Sequence, residues 1–330
     1  MSLSEFDIIA RYFKQSGLIP ASDSSTCPLG IGDDCALLDI PPGKRLAVSM
    51  DILVADVHFP GEADPARIAQ RALAVNLSDL AAMGASPLAF TLGLSLPEAR
   101  PEWLAGFSRG LASSAGRYGC PLIGGDLVKG ALSVCIQVHG LVDRGREIRR
   151  SGAQPGDLVL VSGTLGDAGL ALELIQGRLA ASAFSTGERA WLEAAYYQPS
   201  PRLALGQALC GLATAGIDIS DGLLADLGHI AAQSGVGMTL QAHDLPLSPL
   251  LRKTLAPAQA LACALGAGDD YELAFTLPSA QLARLQGLQK DTGTSCTVIG
   301  RVVAGSGVQC LDEEGRMVRQ ARSGYEHFQA

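Results

Sequence analysis

Apolar positions in the first 145 residues follow two different rhythms. Residues 65–83 open on Pro65 after an aspartate and set Ile68, Ala72, Val75 and Ala82 at helical spacing. Residues 101–118 open on Pro101-Glu102 and repeat the pattern with Leu104, Phe107, Leu111 and Ala115. Both segments are predicted as helices. Around them lie apolar runs rich in β-branched residues at 46–54 (LAVSMDILV), 87–96 (PLAFTLGLSL) and 131–142 (ALSVCIQVHGLV), which predict strands. Strands and helices mix without a regular βαβ alternation, so the first domain is expected to be α+β. The stretch 143–156 is polar, arginine-rich and broken by Gly and Pro, which marks a boundary. The domains are therefore read as 1–145 and 146–330. The second starts with a strand at 157–163 and continues as an α/β domain. Its turn TLGDAGLALELI leads into a helix, a place where backbone amides can meet a phosphate.

The polar positions that break this pattern are mostly acidic. Asp33 and Asp34 follow two glycines in GIGDD, where a simple turn before a strand is the alternative reading. Asp51 interrupts an apolar strand in SMDILV, and a half-buried acid needs a partner, either metal or a basic residue. His58 lies seven residues further on. In NLSDL, Asn76 and Asp79 are three apart and share a helix face. Asp126, in GGD, follows Pro121-Leu122-Ile123 and is expected just past a buried strand, where glycine lets a phosphate approach the backbone. In DISDG, Asp218 and Ser220 alternate at a strand end and Asp221 turns into a helix. Ser220 or Asp221 as a helix cap is the plainer explanation, but three oxygen side chains within four residues exceed what a cap needs. GAGDDYEL repeats the theme with Asp269 and Asp270. Six such segments, if they converge, repel one another unless a cation lies between them. Mg²⁺ suits that place, since it takes oxygen ligands and bridges carboxylates to substrate phosphates.

Composition narrows the choice. The 330 residues are 48% hydrophobic and 18% charged, ample for two buried cores. A formal charge of −8 with no basic stripe argues against a nucleic-acid partner, and an anionic ligand then requires metal. The eight cysteines contain no CxxC pair and are expected as reduced thiols. The amino terminus lacks a secretory pattern and no apolar run reaches membrane-spanning length, so a soluble cytoplasmic protein is expected. A Walker A loop, the protein-kinase signatures, a GxSxG elbow and HExxH are all missing from the sequence.

Taken in order, GIGDDCALL, SMDILVADVHF, NLSDLAAMGA, GGD, DISDGL, GAGDDYEL and the terminal GYEHF resemble thiamine-monophosphate kinase, of the aminoimidazole ribonucleotide synthetase-like superfamily. The resemblance spans nearly the whole chain. It implies a two-domain synthetase-like architecture and a homodimer, whose first-half strands pair across a two-fold axis. It also implies ATP-dependent phosphorylation of thiamine monophosphate to thiamine diphosphate with several Mg²⁺ ions. Carried over by position, it assigns Asp33, Ser49, Asp51, Asp79, Asp126, Asp218 and Asp221 to magnesium, with Met50 contributing its backbone carbonyl. Gly125, Asp126, Arg150 and Ser220 match ATP-contacting positions, and His58, Asp269 and Tyr325 match positions that hold the thiamine phosphate. Asp269 stands where the family carries glutamate, and Ala267 replaces a glycine beside it. The acceptor is a phosphate oxygen, ionised near neutral pH because its second pKa is about 6, so no catalytic base is expected. Alternatives are another ATP-dependent synthetase of the superfamily and a non-catalytic Mg-ATP sensor.

Overall fold

The computed structural model describes residues 4–15, 17–21 and 25–318. Tyr325 lies outside the described residues. Two compact units make up the chain, Met1–Leu80 with Ala85–Gly145, and Ala81–Gly84 with Arg146–Ala330.

The first unit starts with a short helix, α1 (Glu5–Ile8), whose Ser4 and Asp7 form a reciprocal capping box. There follow β1 (Lys44–Val54), α2 (Pro65–Ala82), β2 (Ser86–Leu96), α3 (Pro101–Tyr118), β3 (Leu122–Lys129) and β4 (Ser133–Asp143). The sheet order is β1-β4-β2-β3, with β4 antiparallel to both neighbours and β2 parallel to β3. The two helices lie where their 3.6-residue periodicity predicts them. They meet at Gly110, where a Cβ would stand 2.2 Å from the carbonyl oxygen of Ala66. Alternation along β1 separates its faces. Ala47, Ser49, Asp51 and Leu53 are shielded, whereas Leu46, Val48, Met50 and Ile52 are 42–52% exposed.

The second unit contains β5 (Leu158–Ser162), α4 (Asp167–Ile175), α5 (Thr186–Tyr197), α6 (Leu203–Leu209), β6 (Ala215–Asp218), α7 (Leu223–Ser234), β7 (Gly237–Gln241), α8 (Pro249–Thr254), α9 (Pro257–Gly266), β8 (Leu273–Leu277), α10 (Leu282–Thr292), β9 (Cys296–Val303) and β10 (Gly307–Leu311). The strand order is β10-β7-β9-β5-β8-β6, and β10/β7 is its parallel pair. Every residue of β5, β6 and β8 is buried, as expected for strands covered on both faces. The two cores follow from the pleat: Val159, Val161 and Ala274 join one apolar cluster, and Leu158, Leu160, Leu273 and Phe275 join the other. Among the described residues no helix is long and apolar enough to cross a membrane.

Candidate active site

In the first unit, β1 and α2 gather one group of oxygen donors. The shielded face of β1 carries Ser49 and Asp51, two residues apart and therefore on the same side. Ser49 Oγ donates to Asp79 Oδ2 at 2.6 Å, and the Asp51 amide donates to Asn76 Oδ1 at 2.9 Å. Asn76 is fully buried and its own amide donates to the Ala72 carbonyl at 2.9 Å, which fixes its orientation. The helix face predicted for Asn76 and Asp79 is thus the face turned to the acidic strand. Met50 points the opposite way, with its side chain exposed.

His58 sits in the turn after β1, which Asp56 shapes by adopting a left-handed φ of 62°. Its Nδ1 accepts the Val54 amide at 3.0 Å, so the ring is oriented and its proton lies on Nε2. Asp33 is exposed and joins Ile31 in an isolated bridge.

Asp126 does not lie past a strand, as its sequence context suggests. It lies inside β3, an edge strand, and is exposed. The reason is Gly125. With φ at 154° and no Cβ, it keeps β3 paired against Leu92 of β2 through a position that other residues cannot occupy. Gly124, Gly125 and Asp126 border a mainly apolar hollow lined by Ile9, Phe13, Leu92, Leu94 and Leu122. The sheet does not bring Asp126 to the β1 group. Asp51, Ile136, Leu92 and Gly125 form one cross-strand row, which puts about 14 Å of sheet between its ends at about 4.8 Å per strand.

In the second unit, the DISDG and GDDYE segments interlock. Their backbones continue the β6/β8 pairing beyond the strands: Ile219 donates to Glu272 O, Tyr271 to Ile219 O and Asp269 to Ser220 O, each at 2.8 Å. Asp269 and Tyr271 both adopt left-handed φ, 63° and 48°, and the tyrosine hydroxyl donates to Asp269 Oδ1 at 3.3 Å. Strained non-glycine backbone of this kind is characteristic of ligand sites. Asp218 is 5% exposed at the end of β6, with Ser220 and Asp221 half-buried beyond it. Arg150 is exposed, and its carbonyl accepts Ser234 Oγ at 3.2 Å.

Neither Ser220 nor Asp221 caps α7. Its N-cap is Gly222, without a side-chain bond. Asp226, in the first turn, reaches back instead, and its Oδ2 accepts the amides of Ser220, Asp221 and Gly222, each at 3.1 Å. Burial, reinforced by the charge of Asp221 and opposed by those three amides, raises the Asp226 pKa to about 7. The turn before α4 is arranged alike. Gly166 donates to both oxygens of Asp270, at 3.0 and 2.8 Å, so the amide expected to face a phosphate faces an internal carboxylate. Burial holds the Asp270 pKa well above the carboxylate range, with Asp167 and Glu272 adding to the shift against the amide bonds. Glu272 is in turn held by Arg202, Nε at 2.7 Å, and by Ser162.

Three sites of oxygen chemistry are therefore present: Ser49, Asp51 and Asp79; Gly124 to Asp126; and Asp218, Ser220, Asp221 and Asp269. Among the described residues no three His, Cys, Asp or Glu side chains stand at metal-holding spacing. Asp226 and Tyr271 are the participants that motif reading passes over, and Asp270, read with Asp269 as one acidic pair, turns inward to Gly166 instead. The signal for Asp226 is an acid among the apolar residues of LLADLGHIAA.

Two acidic α/β units of this order define a class. The AIR synthase related protein N-terminal domain matches residues 32–142, and the corresponding C-terminal domain matches residues 154–312. Within that class the chain belongs to the thiamine-monophosphate kinase family. It is 44% identical over 328 residues to the thiamine-monophosphate kinase of Escherichia coli K12, covering 99% of both chains. The crystal structure of thiamine-monophosphate kinase from Stenotrophomonas maltophilia superposes with a TM-score of 0.83 at 44% identity, over 94% of this chain and 97% of that one. AaThiL complexed with AMPPCP and TMP superposes with a TM-score of 0.77 at 30% identity, over 99% of each.

Proposed function

We propose that this protein transfers the γ-phosphate of ATP to thiamine monophosphate, forming thiamine diphosphate without a covalent phosphoenzyme. The full-length likeness to thiamine-monophosphate kinases carries this reading.

The donor sets suit Mg²⁺. They are oxygen throughout, and they come in small groups rather than closed cages, as expected for an ion that keeps waters and takes one or two carboxylates plus substrate phosphates. We assign Asp33, Ser49, Asp51, Asp79, Asp126, Asp218 and Asp221 to it, with the backbone carbonyl of Met50. Magnesium, when bound, neutralises the phosphate oxygens and lets donor and acceptor approach. The protein's own part is to bind and align. Gly125, Asp126, Arg150 and Ser220 hold ATP, with the exposed Arg150 guanidinium countering polyphosphate charge. His58, Asp269 and Tyr325 hold thiamine monophosphate. With Nδ1 already accepting from Val54, His58 serves as a donor through Nε2 rather than as a base. No base is needed, since the attacking phosphate oxygen is already ionised.

We further assign a homodimer. The four alternate apolar side chains exposed along β1, an edge strand among the described residues, suit burial across a two-fold axis. A cytoplasmic home agrees with eight free thiols.

The test is ADP release with and without acceptor. Release that requires both thiamine monophosphate and Mg²⁺ supports the kinase. ADP formed without thiamine diphosphate points to another acceptor, and so to another synthetase of the class, and Mg-ATP binding without turnover to a sensor.

A further inference from the structure

We infer that Asp226 is a positioning residue, an internal carboxylate built into the place where a phosphate would otherwise sit at the start of α7, and that it sets the shape of the loop presenting Ser220 and Asp221. A helix start with free amides attracts phosphate directly. Here three consecutive amides, those of Ser220, Asp221 and Gly222, converge on the single oxygen Oδ2 of Asp226, a residue 2% exposed. The loop therefore turns its backbone donors inward. What it offers a ligand is side-chain oxygen: the Ser220 hydroxyl can donate to a phosphate directly, and the Asp221 carboxylate meets one through a cation.

The geometry around the loop explains why this anchoring matters beyond capping. The carbonyl of Ser220 accepts from Asp269, so the anchored residue also sets the height of the second acidic segment. Space between the two is minimal. A Cβ on Gly268 would lie 2.5 Å from Ser220 O, and one on Gly222 would lie 2.9 Å from the Gly266 Cα. A shift of the Ser220–Gly222 backbone is thus passed to Asp269. The α4 turn repeats the device with Asp270 on Gly166.

The inference rests on the proposed reading of Asp218, Ser220 and Asp221 as ligand-holding residues. Two substitutions separate positioning from charge. Asp226→Ala removes the acceptor, while Asp226→Asn keeps one carbonyl oxygen, enough for bonds that all fall on one atom. In the apoprotein, Asp226→Ala is expected to speed hydrogen exchange at the amides of residues 220–222 by about tenfold or more. In the kinase assay it is expected to raise the Mg²⁺ concentration for half-maximal rate, and Asp226→Asn is expected to restore most of both. Native exchange and native Mg²⁺ dependence in a folded Asp226→Ala would overturn the inference, as would equal loss in the two variants. If Asp226→Ala fails to fold, Asp226→Asn decides alone: protected amides with near-native Mg²⁺ dependence support it, and lost protection overturns it. Asp218→Asn is run alongside. Unchanged turnover and Mg²⁺ dependence there would sink the ligand reading of the loop, while the exchange data still judge Asp226.

Discussion

Gly124 and Gly125 are neighbours in one motif, yet alanine at the two positions is expected to behave very differently. At Gly124 an added Cβ meets Thr91 Cγ2 at 3.9 Å, an ordinary contact. At Gly125 it would stand 1.9 Å from Leu92 O and 2.8 Å from Leu92 C, both backbone atoms of an interior strand. That is about 1.5 Å short of the 3.4 Å at which ordinary contact begins. The φ of 154° adds strain of about 1–3 kcal/mol for a residue with a Cβ. Pushing β3 away from β2 costs a further 1–3 kcal/mol, roughly, as overpacking does elsewhere. Gly125→Ala should therefore destabilise the first unit by about 2–6 kcal/mol and, at an m-value of about 2 kcal/mol/M, lower its urea midpoint by roughly 1–3 M. Gly124→Ala should stay within about 0.5 kcal/mol of native. Urea titration followed by circular dichroism and tryptophan fluorescence reads the difference. The shift of β3 also moves Asp126, so thiamine diphosphate synthesis should fall in Gly125→Ala even where the fold survives. Equal midpoints for the two variants would refute the steric argument.

Three further outcomes are expected. Removing the hydroxyl that orients Asp269, by Tyr271→Phe, should raise KM for thiamine monophosphate about two- to tenfold and leave that for ATP unchanged, the cost of one hydrogen bond; an unchanged KM would remove Tyr271 from the substrate side. Asp270 holds its proton in the folded chain to higher pH than an ordinary aspartate near 3.8. Its contribution to stability is thus present below that value and is lost as pH rises through the folded pKa. The Tm of the native protein should then fall relative to Asp270→Asn as pH rises above 3.8, and parallel curves would contradict this. Val48→Asp places a charge in the middle of the exposed β1 face, 52% exposed in one chain, and should convert a dimer to a monomer by light scattering; an unaltered dimer would place the interface elsewhere.

Residue spacing discloses faces but not long-range partners, and the legibility of this chain divides along that line. The periodicities of α2 and β1 are local, so both elements and the shared face of Asn76 and Asp79 can be read from the pattern. The alternation in β1 also separates Ser49 and Asp51 from Val48 and Ile52. What escapes is pairing across large sequence separations. Gly166 and Asp270 are 104 residues apart, and nothing local in TLGD says that its amide is already taken. Asp126 lies inside β3 rather than past a strand for a related reason. The apolar run Pro121-Leu122-Ile123 reads as a strand that stops at the glycines, whereas the close approach of Leu92 to Gly125 carries the strand on through Asp126. Asp226 is hidden because its role depends on backbone donors that sequence does not display.

The destination of the γ-phosphate decides between kinase and any other ATP-using activity. Purified protein with Mg²⁺, thiamine monophosphate and ATP labelled in the γ-phosphate should yield thiamine diphosphate carrying the label in its terminal phosphate, one equivalent per ADP formed. Label released as inorganic phosphate, with no labelled thiamine diphosphate, would contradict it.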